Sequence, residues 1–242
     1  MKPIYTALVV TALALAVPAG AQTGFNPDDH ARLKVTQTVE PVFPLALNNS
    51  QVMSGNVTVA IDVDQNGKLT DWLVTNYSRK EFADSAVAAI QHWEFEPPRL
   101  NGKPWASVQR LYFDYSRTGV VVNLTGSDAI TGRLDELMSS RYAYRTFTLR
   151  ELDRIPTPIH VVSPVVSGPA LRDESMHSVK VEFYIDEDGR VRLPSVGRDE
   201  VGTVYAANAL DLVRQWRFEP PLYKGNKVLA LVQQEFKFVA KP

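Results

Sequence analysis

The chain has 242 residues, 45% hydrophobic and 22% charged, with a net charge of −1 and no cysteine. This is an ordinary globular composition, with room for two domains of about 80–100 residues and a connector. It excludes a disulfide framework and a cysteine-based zinc site, and it provides no basic stripe for nucleic acid.

In chain order, Lys2 gives a positive start, Ala7 to Val17 is an apolar run broken only by Thr11, and Ala19-Gly20-Ala21 is an A-x-A cleavage site. Residues 1–21 read as a secretory signal peptide. The alternative is an uncleaved membrane anchor, but a span needs about 20 apolar residues, more than this run holds. Residues 22–38 follow as an N-terminal segment.

A lead-in, Glu40-Pro41-Val42-Phe43-Pro44-Leu45-Ala46-Leu47, predicts an extended step and then a short helical turn. Val57, Val59, Ile61 and Val63 alternate with Thr58, Ala60 and Asp62, which predicts a strand with one apolar face. Asp64-Gln65-Asn66-Gly67 reads as a hairpin turn and Leu69–Val74 as the return strand. The period then changes. Phe82, Ala86, Ala89, Ile90 and Trp93 form one stripe of an amphipathic helix. Pro97 and Pro98 prevent the chain from continuing as helix, and Trp93 and Phe95 pin its end to the sheet. A turn at Asn101-Gly102-Lys103 leads to a third strand, Trp105–Tyr115.

Residues 119–153 read as a structured connector. It comprises a strand at Val120–Leu124, a helix capped by Ser127 or Asp128 and running to Met138, and a short strand at Thr146–Leu149. The whole pattern then returns. Trp93-Glu94-Phe95-Glu96-Pro97-Pro98 reappears 123 positions later as Trp216-Arg217-Phe218-Glu219-Pro220-Pro221. Before it come the alternating Val179, Val181, Phe183 and Ile185, the turn Asp186-Glu187-Asp188-Gly189, a return strand Val191–Val196 interrupted by Pro194, and the helical stripe Tyr205, Ala209, Leu212, Val213 and Trp216. After it come Lys224-Gly225-Asn226 and a last strand, Val228–Val239. The chain is therefore a duplicated domain, with copies at residues 39–118 and 154–242. The fold class is α+β, each copy a small antiparallel β-sheet with a helix packed on one face.

Residues that suggest chemistry have simpler explanations. Asp62-x-Asp64-x-Asn66-Gly67 begins like a calcium loop, but its twelfth position is Leu73, and the second copy has Tyr184 at the first ligand position. Glu94 and Glu96 are matched by Arg217 and Glu219, and His92 by Gln215, so neither a carboxylate pair nor a histidine site repeats. The four histidines are dispersed, and no nucleotide loop or hydrolase motif is present. The sequence thus reads as a non-enzyme without cofactor, metal, small-molecule substrate or nucleic-acid partner.

In order and spacing, these motifs resemble the TonB carboxy-terminal domain family. They are Pro41-Val42-Phe43-Pro44, Asp64-Gln65-Asn66-Gly67-Lys68-Leu69 with its counterpart Asp186-Glu187-Asp188-Gly189-Arg190-Val191, the two Trp blocks, and the closing Phe113 and Phe236. On this resemblance the signature core is Trp93, Phe95, Pro97, Trp216, Phe218 and Pro220. The resemblance implies a periplasmic protein-binding module for envelope proteins, including peptides of outer-membrane transporters, bound by adding a strand to a sheet edge. The pairing strand it implies is Val228–Phe238, with Val228, Ala230, Val232, Gln234, Phe236 and Phe238, or Val108–Tyr115 in the first copy. Glu235 and Lys237 stand as guards against aggregation through that edge. Energy transduction is not implied. A cleavable signal stands where energised members keep a membrane helix, no Pro-rich spacer follows, and Glu40, Val42, Ser163 and Val165 replace the glutamines that flank the lead-in proline. The alternative is a structural envelope protein that self-associates through its sheet edges.

Overall fold

The computed structural model describes residues 32–125, 142–162, 177–197 and 200–238. The expected signal peptide, the connector helix and the second lead-in from Ser163 lie outside these residues. The elements in order are β1 (Lys34–Gln37), a 3-10 turn at Leu45–Leu47, β2 (Ser54–Val63), β3 (Leu69–Tyr77), α1 (Lys80–Ile90), β4 (Glu94–Glu96), β5 (Arg99–Leu100), β6 (Lys103–Pro104), β7 (Ser107–Ser116) and β8 (Gly119–Thr125). They continue with β9 (Phe147–Thr148), β10 (Pro158–His160), β11 (His177–Ile185), β12 (Val191–Val196), α2 (Val204–Gln215), β13 (Arg217–Phe218), β14 (Leu222–Tyr223), β15 (Asn226–Lys227) and β16 (Ala230–Phe238).

Each copy folds around the face its alternation marks. Val57, Val59, Ile61 and Val63 of β2 meet Phe82, Ala83, Ala86 and Ile90 of α1 in one buried cluster that also holds Trp93, Phe95 and Phe113. Val179, Val181, Phe183 and Ile185 meet Ala206, Ala209 and Val213 of α2 in the same way. The strand orders are β3-β2-β7-β8 and β12-β11-β16-β9.

The hairpin turn and the Trp block are built for each other. In both copies the turn aspartate accepts backbone N–H groups two and four residues on. Asn66 and Lys68 donate to Asp64 at 2.8 and 2.9 Å, and Asp188 and Arg190 donate to Asp186 at 3.0 and 2.8 Å. The backbone N–H of Lys68 is the main cause of a lowered Asp64 pKa. Gly67 and Gly189 then take φ of +83° and +77°, and a Cβ on either would stand 2.2 or 1.9 Å from the carbonyl oxygen of Phe95 or Phe218. Only glycine allows that approach.

The two sheets pack back to back. Ala60 of β2 is buried with Tyr184, Leu193 and Leu229, and Leu73, Val108, Tyr144 and Leu231 pack around them. The layers therefore run helix, sheet, sheet, helix. Leu193 reaches this layer through a bulge opposite Glu182–Tyr184, with a left-handed φ of +49°. Two arginines tie the faces together. The Arg192 guanidinium grips the Asp71 carboxylate and the Trp72 carbonyl, and Arg110 donates to Glu182 at 2.8 Å and to the Tyr184 hydroxyl at 3.1 Å.

Strand pairing runs past the sequence-read bounds of the first copy at both ends. β1, from the N-terminal segment, pairs with β4 of the first Trp block, and β10 pairs with β13 of the second. Residues 119–125, read as connector, are the fourth strand of the first sheet.

Candidate peptide-pairing edge

The signature aromatics are structural. The Trp93 ring is buried, lies 5.8 Å from the Phe113 ring, and donates its indole N–H to the Val39 carbonyl at 2.8 Å. Trp216 repeats this with Phe236 at 5.4 Å and the Val162 carbonyl at 3.2 Å, but is only half-buried. Phe95 and Pro97 are buried, and Phe218 and Pro220 half-buried, so the second block sits more loosely. His92 and Glu94 are exposed at the end of α1, and Glu96 pairs with Lys34 at 3.4 Å. Among the described residues, no three histidine or carboxylate side chains gather as a metal site.

The first copy's last strand is not an open edge, contrary to the expectation for Val108–Tyr115. β7 pairs with β2 on one side and along its length with β8 on the other, Arg110 facing Thr125 and Ser116 facing Gly119. Val120, Val122 and Leu124 turn inward onto the core, whereas Val121 is 61% exposed. A two-residue turn, Arg117-Thr118, makes this possible, and Arg117 fastens it. Its guanidinium donates to the carbonyls of Leu47, Asn48, Ser50 and Val52 at 2.9–3.3 Å and lies over the Phe43 ring. The alternation of Val120–Leu124, a few residues past a strand, was a readable hairpin signal.

Among the described residues, the equivalent edge of β16 is covered at one end only. β9 lies parallel to it at Ala230 and Leu231, and among the described residues no strand pairs on that side beyond Leu231. The Phe147 N–H donates to the Leu229 carbonyl at 2.9 Å. Backbone groups alternate sides along a strand, so those of Leu231, Gln233, Glu235 and Lys237 face this edge. The even-numbered residues named from the sequence, Ala230, Val232, Gln234, Phe236 and Phe238, direct their backbone groups at β11. Their side chains, Gln234 apart, are buried on the sheet. Val228 precedes the strand, its N–H donating to Pro221. The Gln234 side-chain amide folds over to donate to the Glu235 carbonyl at 2.8 Å, satisfying one group of the open stretch. Glu235 accepts from Ser178, which leads the causes of its lowered pKa, ahead of Lys237; both guards are exposed.

The strap that supplies β9 closes edges in both copies. Tyr77 exchanges backbone hydrogen bonds with Ala143 and Tyr144, and the two tyrosine rings stack at 5.1 Å. The Tyr144 hydroxyl donates to Glu187 of the second copy, and burial first, then that carboxylate, holds the phenol far above its usual range. Seven residues on, Glu151 accepts the N–H and hydroxyl of Thr148 at 2.9 Å and pairs with Arg145 at 2.8 Å. Burial opposes the Glu151 charge, but these donors outweigh it and lower its pKa. Beside β12 lies a cleft of about 660 Å³ lined by Asp62, Trp105, Gln109, Val204, Leu210 and Arg214, where burial raises the Asp62 carboxyl.

The family described as Gram-negative bacterial TonB protein C-terminal matches residues 40–116 and 170–240, more than half of the chain. The chain belongs to this family. The two matched segments fall on the two helix-bearing sheets, which makes it a tandem TonB C-terminal protein. No curated protein matches the chain. TonB C-terminal domains are protein-interaction modules of the bacterial envelope and its transport systems. No helix among the described residues is long and apolar enough to cross a membrane.

Proposed function

We propose that this TonB-family protein is a periplasmic, non-catalytic adaptor that holds an extended segment of another envelope protein, an outer-membrane transporter peptide being the family's example. The segment adds as a strand to β16. The first copy acts as scaffold, its edge already occupied by β8. The observation that carries this reading is the contrast between equivalent edges: β7 is covered along its length, whereas the backbone groups of Gln233, Glu235 and Lys237 face a stretch with no strand among the described residues. Export is the second part of the proposal, with cleavage after Ala21, and the amino terminus of the mature protein should then be Gln22.

Photo-crosslinking in the periplasm tests the binding role. A benzophenone amino acid at Lys237 should yield discrete adducts with an envelope protein, and one at the equivalent Asp114, beside β8, should not. Equal labelling from both positions, or none from either, would count against strand capture. Adducts of twice the chain's own mass would point to self-association instead.

A further inference from the structure

We infer that the cleft beside β12 is a second binding site, for a small organic molecule that carries a primary ammonium group on an aromatic or branched apolar body. The site lies where the two copies meet and is independent of the β16 edge. Asp62 supplies its charge. Asp62 shares a face of β2 with Thr58 and Ala60, and Ala60 is buried against the second copy. At the end of that face Asp62 stands across from Val108 of β7 and lines the cleft. Burial is the largest influence on its carboxyl and raises the pKa, while the Thr70 hydroxyl and Arg214 act the other way without offsetting it. The Arg214 guanidinium is already paired with Asp211 at 3.0 Å. A partly desolvated carboxylate whose neighbouring cation is engaged elsewhere favours a cation that arrives from solution.

The walls select what that cation is attached to. Trp72, Trp93 and Trp216 pack on the two helix-bearing cores, whereas Trp105 is half-buried and belongs to none of the apolar clusters. It lines the cleft instead, and an indole attracts both ammonium groups and flat apolar bodies. The second copy provides Val204, Ala207 and Leu210, spaced three apart on one face of α2 beside its buried stripe. The volume of about 660 Å³ is in the range of roughly 300–1,000 Å³ found for small-ligand sites, which favour domain junctions. Asp62 repels anions, and among the described residues no three histidine or carboxylate side chains gather to hold a metal ion. The second copy has Tyr184 and Val228 at the positions of Asp62 and Trp105, so the site is made by joining unlike faces, not by the repeated fold.

The probe is phenethylamine, titrated into the isotope-labelled full chain. Saturable shifts should appear at the Trp105 indole N–H and at the amides of Val204 and Leu210. They should be absent with phenethyl alcohol, which has the same body without the charge. Asp62→Asn should weaken amine binding about tenfold. Burial of the Asp62 carboxylate works against folding at neutral pH, so this variant should melt no lower than the native chain. Ala207→Phe, at an exposed helix position, should narrow the cleft and weaken binding by a similar factor with Asp62 in place. Equal binding of the alcohol, or unchanged binding by Asp62→Asn, overturns the ammonium assignment. Shifts away from the cleft, or no saturable shift up to millimolar amine, overturn the site. Tighter binding of N-acetyl-lysine amide than of phenethylamine would give the cleft to a lysine side chain of a protein and overturn the small-ligand reading.

Discussion

Gly189→Ala isolates the contact that joins the hairpin turn to the Trp block. Gly225 provides a matched control. Its φ is +76° against +77° for Gly189, but a Cβ there meets nothing within 4 Å, whereas at Gly189 it meets the Phe218 oxygen at 1.9 Å. Both replacements carry the left-handed penalty of about 1–2 kcal/mol. Only Gly189→Ala must also drive the two backbones apart, since real Cβ contacts stay beyond 3.0 Å. That movement breaks the hydrogen bond from the Phe218 N–H to the Gly189 carbonyl, now 2.9 Å, and leaves groups unpaired at about 1–3 kcal/mol. With the shift of Phe218 in its cluster, the excess over Gly225→Ala should be about 2–3 kcal/mol. At about 2–4 °C per kcal/mol for a chain of this size, Gly189→Ala should melt roughly 4–12 °C below Gly225→Ala by circular dichroism. Melting points within a degree of each other would show that the close approach carries no energy.

Trp93→Ala should cost about 3–5 kcal/mol, because it empties a buried ring site and strips the Val39 carbonyl of its donor. Trp216→Ala, at a half-buried ring, should cost clearly less, and denaturant titration of both variants checks the order. Acid should release the strap. A carboxyl whose folded pKa lies below its ordinary 4.5 contributes stability that is complete above 4.5 and disappears as pH falls through the folded value. Amide exchange at Phe147 should therefore lose protection on acidification below pH 4.5 in the native chain, and Glu151→Gln should flatten that dependence.

The hairpins, the helices and the Trp blocks are legible in the sequence because a single burial direction controls each. Phe82–Trp93 has one buried face, and on Val57–Val63 the large apolar side chains all fall on one face although Thr58 and Ala60 are buried on the other, so the period follows. The back-to-back packing is harder to read, because the second sheet face is only partly apolar: Ala60, Tyr184 and Leu231 share that side with Asp62, Glu182 and Gln233. Arg110 and Arg192 look like solvent-facing charges until a partner sheet brings Glu182 and Asp71 to them. β1, β9, β10 and β13 are two to four residues long, too short for any periodicity, and exist only because longer strands present edges to them. Side-chain alternation singles out the even-numbered positions of β16, whose backbone groups face β11, whereas those of the odd ones face the outer edge.

Duplication alone would give a chain two equivalent open edges, and two such edges allow chains to link end to end. The first copy avoids this with β8, and its core has come to depend on the cover: the fully buried Leu111 would face water without the strand beside it. At the matching position the second copy has Gln234, which hydrates readily and caps its own edge. The polar residue therefore stands on the copy whose edge is uncovered beyond Leu231 among the described residues, the arrangement expected if one edge is kept as scaffold and the other for a partner. With the sheet faces turned on each other and a helix over each outer side, the strand partner we propose would meet its backbone partners at an edge, and on β16 the backbone groups beyond β9 begin, among the described residues, at Gln233.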